Sequence, residues 1–320
     1  MLLWEVHMGG SKLAIPALIL CASLVYSQNN SVQAQRLTYR SIDVPGVVLI
    51  TVVEDINNSG EMVGYYSKTP VGGVVGFTLS GGQFAQFAYP GGDSTYAYGI
   101  NDAGLVAGEV VNNNGSFYAF THDGTSFHKV NIPGYSYGSA HGINNTGVIV
   151  GGGTGSGGFI AYELSGTKFK NITPPPGGFS AVYATGINNS NHVVGWSTGA
   201  STTGFQYGNG TYQTIIAPGD NTGITEALGI NDNDIIVGWY DACSDTCAYH
   251  GFALRRGKYI TLDYPGARDT FALGVNNVGQ VVGSYTVDGT TYHGFVTSPI
   301  SAADFDRPGC CLVDPNWKDK

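Results

Sequence analysis

The stretch that decides the fold is Gly142-Ile143-Asn144-Asn145-Thr146-Gly147-Val148-Ile149-Val150-Gly151. Versions of it recur along the chain, and their first asparagines are 44, 43, 44, 43 and 45 residues apart. A fixed period of this length is typical of repeat architectures, in which each unit buries its apolar face against its neighbours. We call these residues the repeat asparagines: Asn57, Asn101, Asn144, Asn188, Asn231 and Asn276.

A tight turn follows each repeat asparagine. The residue three positions later is always glycine, asparagine or aspartate, the types that tolerate a left-handed backbone. Because β-branched residues surround the turn, the pattern predicts a hairpin with positive φ at this position. The residues concerned are Gly60, Gly104, Gly147, Asn191, Asp234 and Gly279.

Three other features recur in every unit and complete a pattern of four strands, as a propeller blade requires. A glycine falls seven residues after each repeat asparagine, and an aromatic residue marks the third strand: Phe77, Phe120, Tyr162, Phe205, Phe252 and Phe295. The fourth strand ends in a Pro-Gly pair: Pro45-Gly46, Pro90-Gly91, Pro133-Gly134, Pro176-Gly177, Pro218-Gly219 and Pro265-Gly266.

The two ends of the repeat region are incomplete in complementary ways. The first proline segment, Leu37 to Pro45, has no aromatic strand before it, and Gly294-Phe295-Val296 has no proline segment after it. The two fragments form a complete unit only if they lie side by side, which also leaves no open edge. The sequence therefore predicts an all-β, six-bladed β-propeller over residues 35–299, closed by the N-terminal strand joining the last blade.

Composition supports a globular sheet protein. Charged residues make up 12% of the chain, glycine accounts for 49 of 320 residues, and hydrophobic residues reach 42%, so disorder is not expected. A net charge of −9, with no visible basic stripe, argues against nucleic acid as a partner.

The N-terminal residues 1–34 are typical of an export signal. Lys12 precedes an apolar stretch from Leu13 to Val25, which has the length of a signal core and is short for a membrane span. Cleavage is expected after Ser27 or Ala34, with an uncleaved anchor as the alternative. The expected location is secreted, extracellular or periplasmic, with no membrane association beyond the signal.

The cysteines fit an oxidising compartment. Cys243 and Cys247 flank three residues in the longest loop between second and third strands, and a local disulfide is the favoured interpretation, with a metal site as the rival. Cys310 and Cys311 lie in a tail, residues 300–320, without the repeat; whether they pair together, pair between chains or stay free is left open.

Candidate ligand-binding residues come from the face that carries the Pro-Gly crossings between blades. Ligand sites of propellers commonly lie around the channel on that face, an argument from fold alone. Aromatic and polar residues there suit sugars or peptides. The crossings and variable loops supply Asp93, Tyr135, Asp220, Tyr240, Asp241, Arg268, Asp269 and Asp288; His250 and His293 join them, although an ordinary surface position is the alternative for these two histidines.

The repeat phrase, together with His250-Gly251-Phe252, His293-Gly294-Phe295 and Tyr264-Pro265-Gly266, resembles the bacterial extracellular HAF-repeat family. The resemblance covers Leu37 to Ser298, with departures such as Asp55 in place of the leading glycine of the first unit. It implies export and a bacterial source, and because the family has no settled biochemical role it carries over no catalytic residue.

Three functional hypotheses remain. The first is an exported module that binds glycan or protein, since six similar units suit repeated capture. The second is an extracellular polysaccharide hydrolase or lyase, which would be expected to mark one blade with out-of-pattern acids or histidines. The third is a purely structural role. No catalytic residue, cofactor or metal ligand is predicted, because no paired carboxylates or Cys/His cluster stands out.

Overall fold

The computed structural model describes residues 37–47, 49–69, 72–155, 158–173, 181–243, 248–307 and 312–313. The predicted export signal, the second cysteine of the predicted Cys243–Cys247 pair, and Cys310 and Cys311 lie outside these residues. Those expectations therefore stay predictions.

The described residues form six antiparallel sheets, which we number as blades 1 to 6; five of them have four strands, and blade 5 has a fifth strand at its outer edge. The first strand, β1, is Tyr39–Ile42. Blade 1 contains β2 Ile50–Ile56, β3 Met62–Ser67, β4 Val75–Ser80 and β5 Gln83–Phe87. Blade 2 contains β6 Ser94–Ile100, β7 Val106–Val111, β8 Phe117–His122 and β9 Phe127–Lys129. Blade 3 contains β10 Tyr135–Ile143, β11 Val148–Gly155, β12 Gly158–Ser165 and β13 Lys168–Ile172.

Blade 4 contains β14 Ala181–Ile187, β15 Val193–Thr198, β16 Thr202–Gly208 and β17 Thr211–Ile215. Blade 5 contains β18 Thr225–Ile230, β19 Ile236–Asp241, β20 Tyr249–Arg255 and β21 Lys258–Leu262. Blade 6 contains β22 Asp269–Val275, β23 Val281–Thr286 and β24 His293–Thr297. A 3₁₀ helix, Ala302–Asp306, and a short strand β25, Leu312–Val313, follow; β25 pairs with the outer strand of blade 5.

The predicted closure is confirmed. Strand β1 pairs antiparallel with β24 as the fourth strand of blade 6, with Tyr39 opposite Thr297 and Ile42 opposite Gly294. The innermost strand of each blade lines a central channel and contacts the inner strand of the next blade. These inner strands are β2, β6, β10, β14, β18 and β22. The fold is therefore a closed six-bladed β-propeller.

Hydrophobic clusters lie between neighbouring blades and hold the ring together. The third-strand aromatics are at the centre of this packing, since all six are at most 1% exposed. Each lies directly opposite the glycine seven residues after the repeat asparagine, as Phe77 lies opposite Gly64. A Cβ on Gly64 would come within 2.0 Å of the Val52 carbonyl oxygen and 2.9 Å of the Phe77 ring, which explains the invariant glycine.

The hairpin prediction is also confirmed. All six residues three positions after the repeat asparagines have positive φ, from 57° at Asp234 to 92° at Gly279. We call the end of the channel that carries these turns the turn face. The opposite end, where the chain passes from each outer strand to the next inner strand, is the crossing face.

Candidate functional site

The turn face is closed by a ring of hydrogen bonds between blades. The side-chain amide of each repeat asparagine donates to the backbone carbonyl of the next one around the ring, at 2.8–3.2 Å. The last bond runs from Asn276 to Asn57 and crosses the closure of the propeller. Each side-chain oxygen also accepts backbone N–H groups of its own turn, so the asparagines fix the turns and join the blades.

The residues that follow the repeat asparagines form a second ring. The backbone N–H of each donates to the side chain of the next, at 2.7–2.9 Å. Asp102 and Asp232 stand three blades apart in this ring, and each accepts side-chain amides from two asparagines. Burial raises the pKa of both carboxyls, but these hydrogen bonds outweigh it and hold the pKa below the usual value. The polar groups of this face are therefore engaged in holding the blades together.

Inside the channel, every blade has a β-bulge at the same place. The residue three positions before each repeat asparagine is skipped in the pairing of the inner strand with its neighbour. Bulges redirect a side chain out of the pleat, and here all six bulged residues line the channel. These channel residues are Glu54, Tyr98, His141, Thr185, Leu228 and Leu273. One half of the channel is thus polar and the other half is mostly aliphatic.

The next position is glycine in five blades, because the inner strands approach closely there. A Cβ on Gly99, for example, would lie 2.6 Å from the His141 carbonyl oxygen of the next blade. In blade 1 this position is Asp55, whose carboxylate accepts the N–H groups of Ile56 at 2.8 Å and Ile100 at 3.0 Å. Burial raises the pKa of Asp55 to about 7, although these two N–H groups oppose the shift. Asp55 therefore joins blades 1 and 2 and has little freedom to contact a ligand.

Glu54 is the acidic residue that faces the channel. Burial, followed by the charge of neighbouring Asp55, raises the pKa of Glu54 to about 8, against a smaller opposing effect of a hydrogen bond with Tyr65. At neutral pH Glu54 is therefore mainly protonated. Burial lowers the pKa of His141 to about 4, so this ring is neutral; it stacks on Tyr98 with centroids 4.5 Å apart.

Above Glu54, on the crossing face, a cavity of about 420 Å³ opens between blades 6, 1 and 2. Its walls are tyrosine, phenylalanine and aliphatic side chains, with two serines and Glu54 as the polar groups. No lysine or arginine is among the described lining residues. These are Ile50, Val52, Glu54, Tyr65, Ser67, Val74, Tyr96, Phe271, Leu273, Ser284 and Tyr292.

The two predicted histidines occupy equivalent places in blades 5 and 6. Nδ1 of His250 lies 2.9 Å from an Asp263 carboxylate oxygen, and Nδ1 of His293 lies 2.8 Å from an oxygen of Asp43. His250 also stacks on Tyr240, with centroids 5.5 Å apart. Each imidazole is held in one orientation by these contacts, away from the cavity.

Three predicted aspartates stabilise loops of the crossing face. Asp93 accepts the backbone N–H of Asn113 at 2.6 Å and so joins the crossing into blade 2 to a loop of that blade. Asp220 and Asp288 each accept N–H groups from residues two to four positions further along their own loops. These carboxylates replace backbone hydrogen bonds that the loops lack.

The other predicted residues are mostly engaged within the fold. Tyr240, Asp241 and Asp269 are 8%, 7% and 3% exposed. The Tyr135 hydroxyl donates to the Asn171 side chain at 2.8 Å, and the Arg268 Nε lies 3.7 Å from Asp269. None of the ten candidates is among the described residues that line the cavity, and their role in ligand binding stays a prediction.

The sequence did not predict the cavity, because inner and second strands build most of this site, whereas the predicted binding residues belong mainly to crossings and loops. One signal was present: Asp55 stands where every other unit has glycine, and the residue before it is Glu54. That departure marks blade 1 as the unit that differs. Of the described residues, no group of three His, Cys, Asp or Glu side chains is placed to hold a metal ion.

The chain matches no protein-family model and no curated protein. Solved structures with a similar fold include TolB from Acinetobacter baumannii (TM-score 0.50, 13% identity, 74% of this chain and 63% of that chain covered). A triple mutant of AofleA from Arthrobotrys oligospora gives a TM-score of 0.50 at 12% identity, over 83% of this chain and 90% of that chain. The β-propeller domain of the Trilobed protease from Pyrococcus furiosus gives a TM-score of 0.49 at 8% identity, over 82% of this chain and 85% of that chain.

The two structures with a TM-score of 0.50 support a common fold, and identities of 13% and 12% carry no ligand across. The six-bladed propeller is thus established, while the HAF-repeat resemblance rests on the sequence motifs alone. Over the described ranges, the structure contains no helix with the length and apolar character that crossing a bilayer requires.

Proposed function

We propose that this protein is an exported binding module that captures an uncharged saccharide in the crossing-face cavity. The observation that carries the proposal is the cavity itself, about 420 Å³ in volume, with aromatic walls above the protonated carboxyl group of Glu54. Small-molecule sites are typically concave, mostly apolar and supplied with a few convergent polar groups. This cavity has each of those properties.

The lining favours a ligand with both apolar and hydroxylated faces. Tyr65, Tyr96 and Tyr292 line the cavity with aromatic rings that suit C–H groups, and the Tyr65 hydroxyl is hydrogen-bonded to Glu54. Glu54, when protonated, both donates and accepts hydrogen bonds. An anionic ligand would find no cationic partner among the described lining residues, and the chain as a whole carries a net charge of −9.

A printed array of uncharged oligosaccharides tests this proposal, followed by titration of the best binder. Val74 lines the cavity, so Val74→Trp is expected to fill it and weaken binding at least a hundredfold. Val287→Trp is the matched control, because Val287 is 62% exposed in the corresponding loop of blade 6 and does not line the cavity. Failure of the protein to bind any saccharide, or equal affinity in both variants, contradicts the proposal.

The raised pKa of Glu54 gives one specific reason to keep a polysaccharide hydrolase or lyase as the second candidate. A carboxyl group that is protonated at neutral pH can act as a general acid. Glycoside hydrolysis typically needs a second carboxylate facing the same bond, whereas the Asp55 carboxylate is occupied by two backbone N–H groups. Mass spectrometry of the bound saccharide after incubation decides this point: an enzyme releases shorter products, and Glu54→Gln stops their release.

A further inference from the structure

A second aromatic surface lies between blades 3 and 4 on the crossing face. The rings of Tyr183 and Trp196 stack with centroids 3.8 Å apart and planes 18° from parallel. Phe159 of blade 3 adds a third ring, 4.5 Å from Tyr183. All three side chains are only half-buried. We call these three residues the aromatic platform.

The local structure places the platform next to the channel. Tyr183 lies on the inner strand of blade 4, directly opposite Trp196 on the second strand. It is two residues from Thr185, which lines the channel. On the blade 3 side, glycine at position 152 makes room for Phe159, since a Cβ there would lie 2.4 Å from its ring.

The platform and the cavity occupy corresponding places on opposite sides of the channel. Tyr183 holds the same repeat position as Val52 of blade 1 and Phe271 of blade 6, which line the cavity. The cavity opens mainly between blades 6 and 1, and the platform lies between blades 3 and 4, half a turn around the ring. A ligand that reaches from one to the other must cross the channel mouth.

A hydrogen-bonding group lies beside the platform. The Glu226 carboxyl group of blade 5 accepts a hydrogen bond from the Trp239 indole, and its charge acts on Tyr183. Burial raises the pKa of Glu226 to about 7, so this group can donate or accept near neutral pH. Stacked rings with a flanking carboxyl group are suited to the apolar face and the hydroxyls of a sugar ring.

We propose that the aromatic platform is a second subsite for the same saccharide chain, so that the protein captures a linear polymer lying across the channel mouth. This inference rests on the proposed function of the cavity. When one end of a chain occupies the cavity, its later units meet the platform at high effective concentration. Affinity should therefore rise steeply with chain length, once the chain is long enough to reach both subsites.

The test uses glucan, mannan, galactan and N-acetylglucosamine oligomers, each as the disaccharide and the hexasaccharide, and measures affinity by calorimetry. Trp196→Ala is expected to weaken hexasaccharide binding at least tenfold and to leave disaccharide binding within twofold of the wild type. Trp196→Phe, which keeps a stacking ring, should restore most of the affinity. The control is Tyr207→Ala, because Tyr207 belongs to a different aromatic pair of blade 4, with the Tyr212 ring centroid 4.6 Å away. Circular dichroism and thermal melts establish that each variant is folded.

The outcomes separate the inference from the function on which it rests. If Val74→Trp abolishes binding at both lengths while Trp196→Ala changes neither, the cavity function stands and the second subsite is refuted. Equal loss at both lengths in Trp196→Ala also refutes it, since the platform would then act on the cavity rather than on distant units. If the wild type binds none of the oligomers, the proposed function fails and the inference fails with it.

Discussion

The ring of repeat asparagines on the turn face allows a direct test of how the propeller closes. Asn188 donates to the carbonyl of Asn231 in the next blade at 3.2 Å, and Asn276 donates to the carbonyl of Asn57 at 3.1 Å. The first bond joins consecutive blades, whereas the second joins the last blade to the first, 219 residues apart. We predict that Asn188→Ala and Asn276→Ala destabilise the protein by similar amounts.

The expected loss in the free energy of unfolding follows from the backbone groups that the substitution leaves without hydrogen-bond partners. Asn188 is 4% exposed, and its side chain serves the Asn231 carbonyl and the N–H groups of Ser190 and His192, both at 3.0 Å. A buried polar group that loses its partner costs about 1–3 kcal/mol. Since water reaches part of the turn face, we expect a total loss of about 3–4 kcal/mol in the free energy of unfolding for each substitution.

Equilibrium urea unfolding, followed by tryptophan fluorescence, measures these free energies. Asn114→Ala is the matched control, because the Asn114 side chain accepts the Ser116 N–H at 2.9 Å, so this substitution removes a local contact of the same type within one exposed loop of blade 2. Its expected cost is less than about 1 kcal/mol. The prediction fails if Asn188→Ala lowers the free energy of unfolding strongly while Asn276→Ala lowers it no more than the control does. That result would show that the first and last blades are not joined as described.

Three further predictions concern the hydrophobic core, the channel residue Glu54, and the histidines of blades 5 and 6. Phe295→Ala should lower the free energy of unfolding by about 3–5 kcal/mol, because this fully buried ring packs at the closing blade; urea unfolding with less than about 1 kcal/mol of loss would contradict the packing. Native Glu54 keeps its proton up to about pH 8, whereas the unfolded chain loses it near 4.5, so stability should fall as pH rises between these values, by at most about 1.4 kcal/mol per pH unit. Glu54→Gln should make that fall smaller by the contribution of Glu54, while Asp55 and Glu226, whose pKa values burial also raises, keep the rest. A pH dependence of the melting temperature that is parallel in both proteins would refute the prediction. His250→Ala and His293→Ala should bind saccharide within twofold of the wild type, and loss of binding or of any polysaccharide turnover in either variant would place the histidines in the site.

The architecture could be predicted from sequence because each decisive feature is local and repeated. Positive φ at the turn requires glycine, asparagine or aspartate, so the alternation of Gly147, Asn191 and Asp234 at one repeat position had a visible cause. The closing strand was visible as an incomplete unit at each end. Both features depend on residues close together in the chain, and six copies reinforced them.

The candidate site was less accessible because it depends on pairing and packing between blades. Nothing in the sequence of β2 shows that Glu54 is bulged out of the ladder, since the bulge arises from its register with β3. Nor does sequence show that Phe271, Tyr292 and Tyr96, from blades 6 and 2, meet around blade 1. The loop aspartates were predicted as binding residues from their place on the crossing face, yet most of them accept hydrogen bonds from nearby backbone.

Calorimetric titration of the array-selected saccharide into the Val74→Trp and Val287→Trp proteins tests the central claim most directly. If the crossing-face cavity holds the ligand, a tryptophan at position 74 should weaken binding at least a hundredfold, while a tryptophan at position 287 should leave the affinity within twofold of the wild type. Undiminished affinity in the folded Val74→Trp protein would contradict the account.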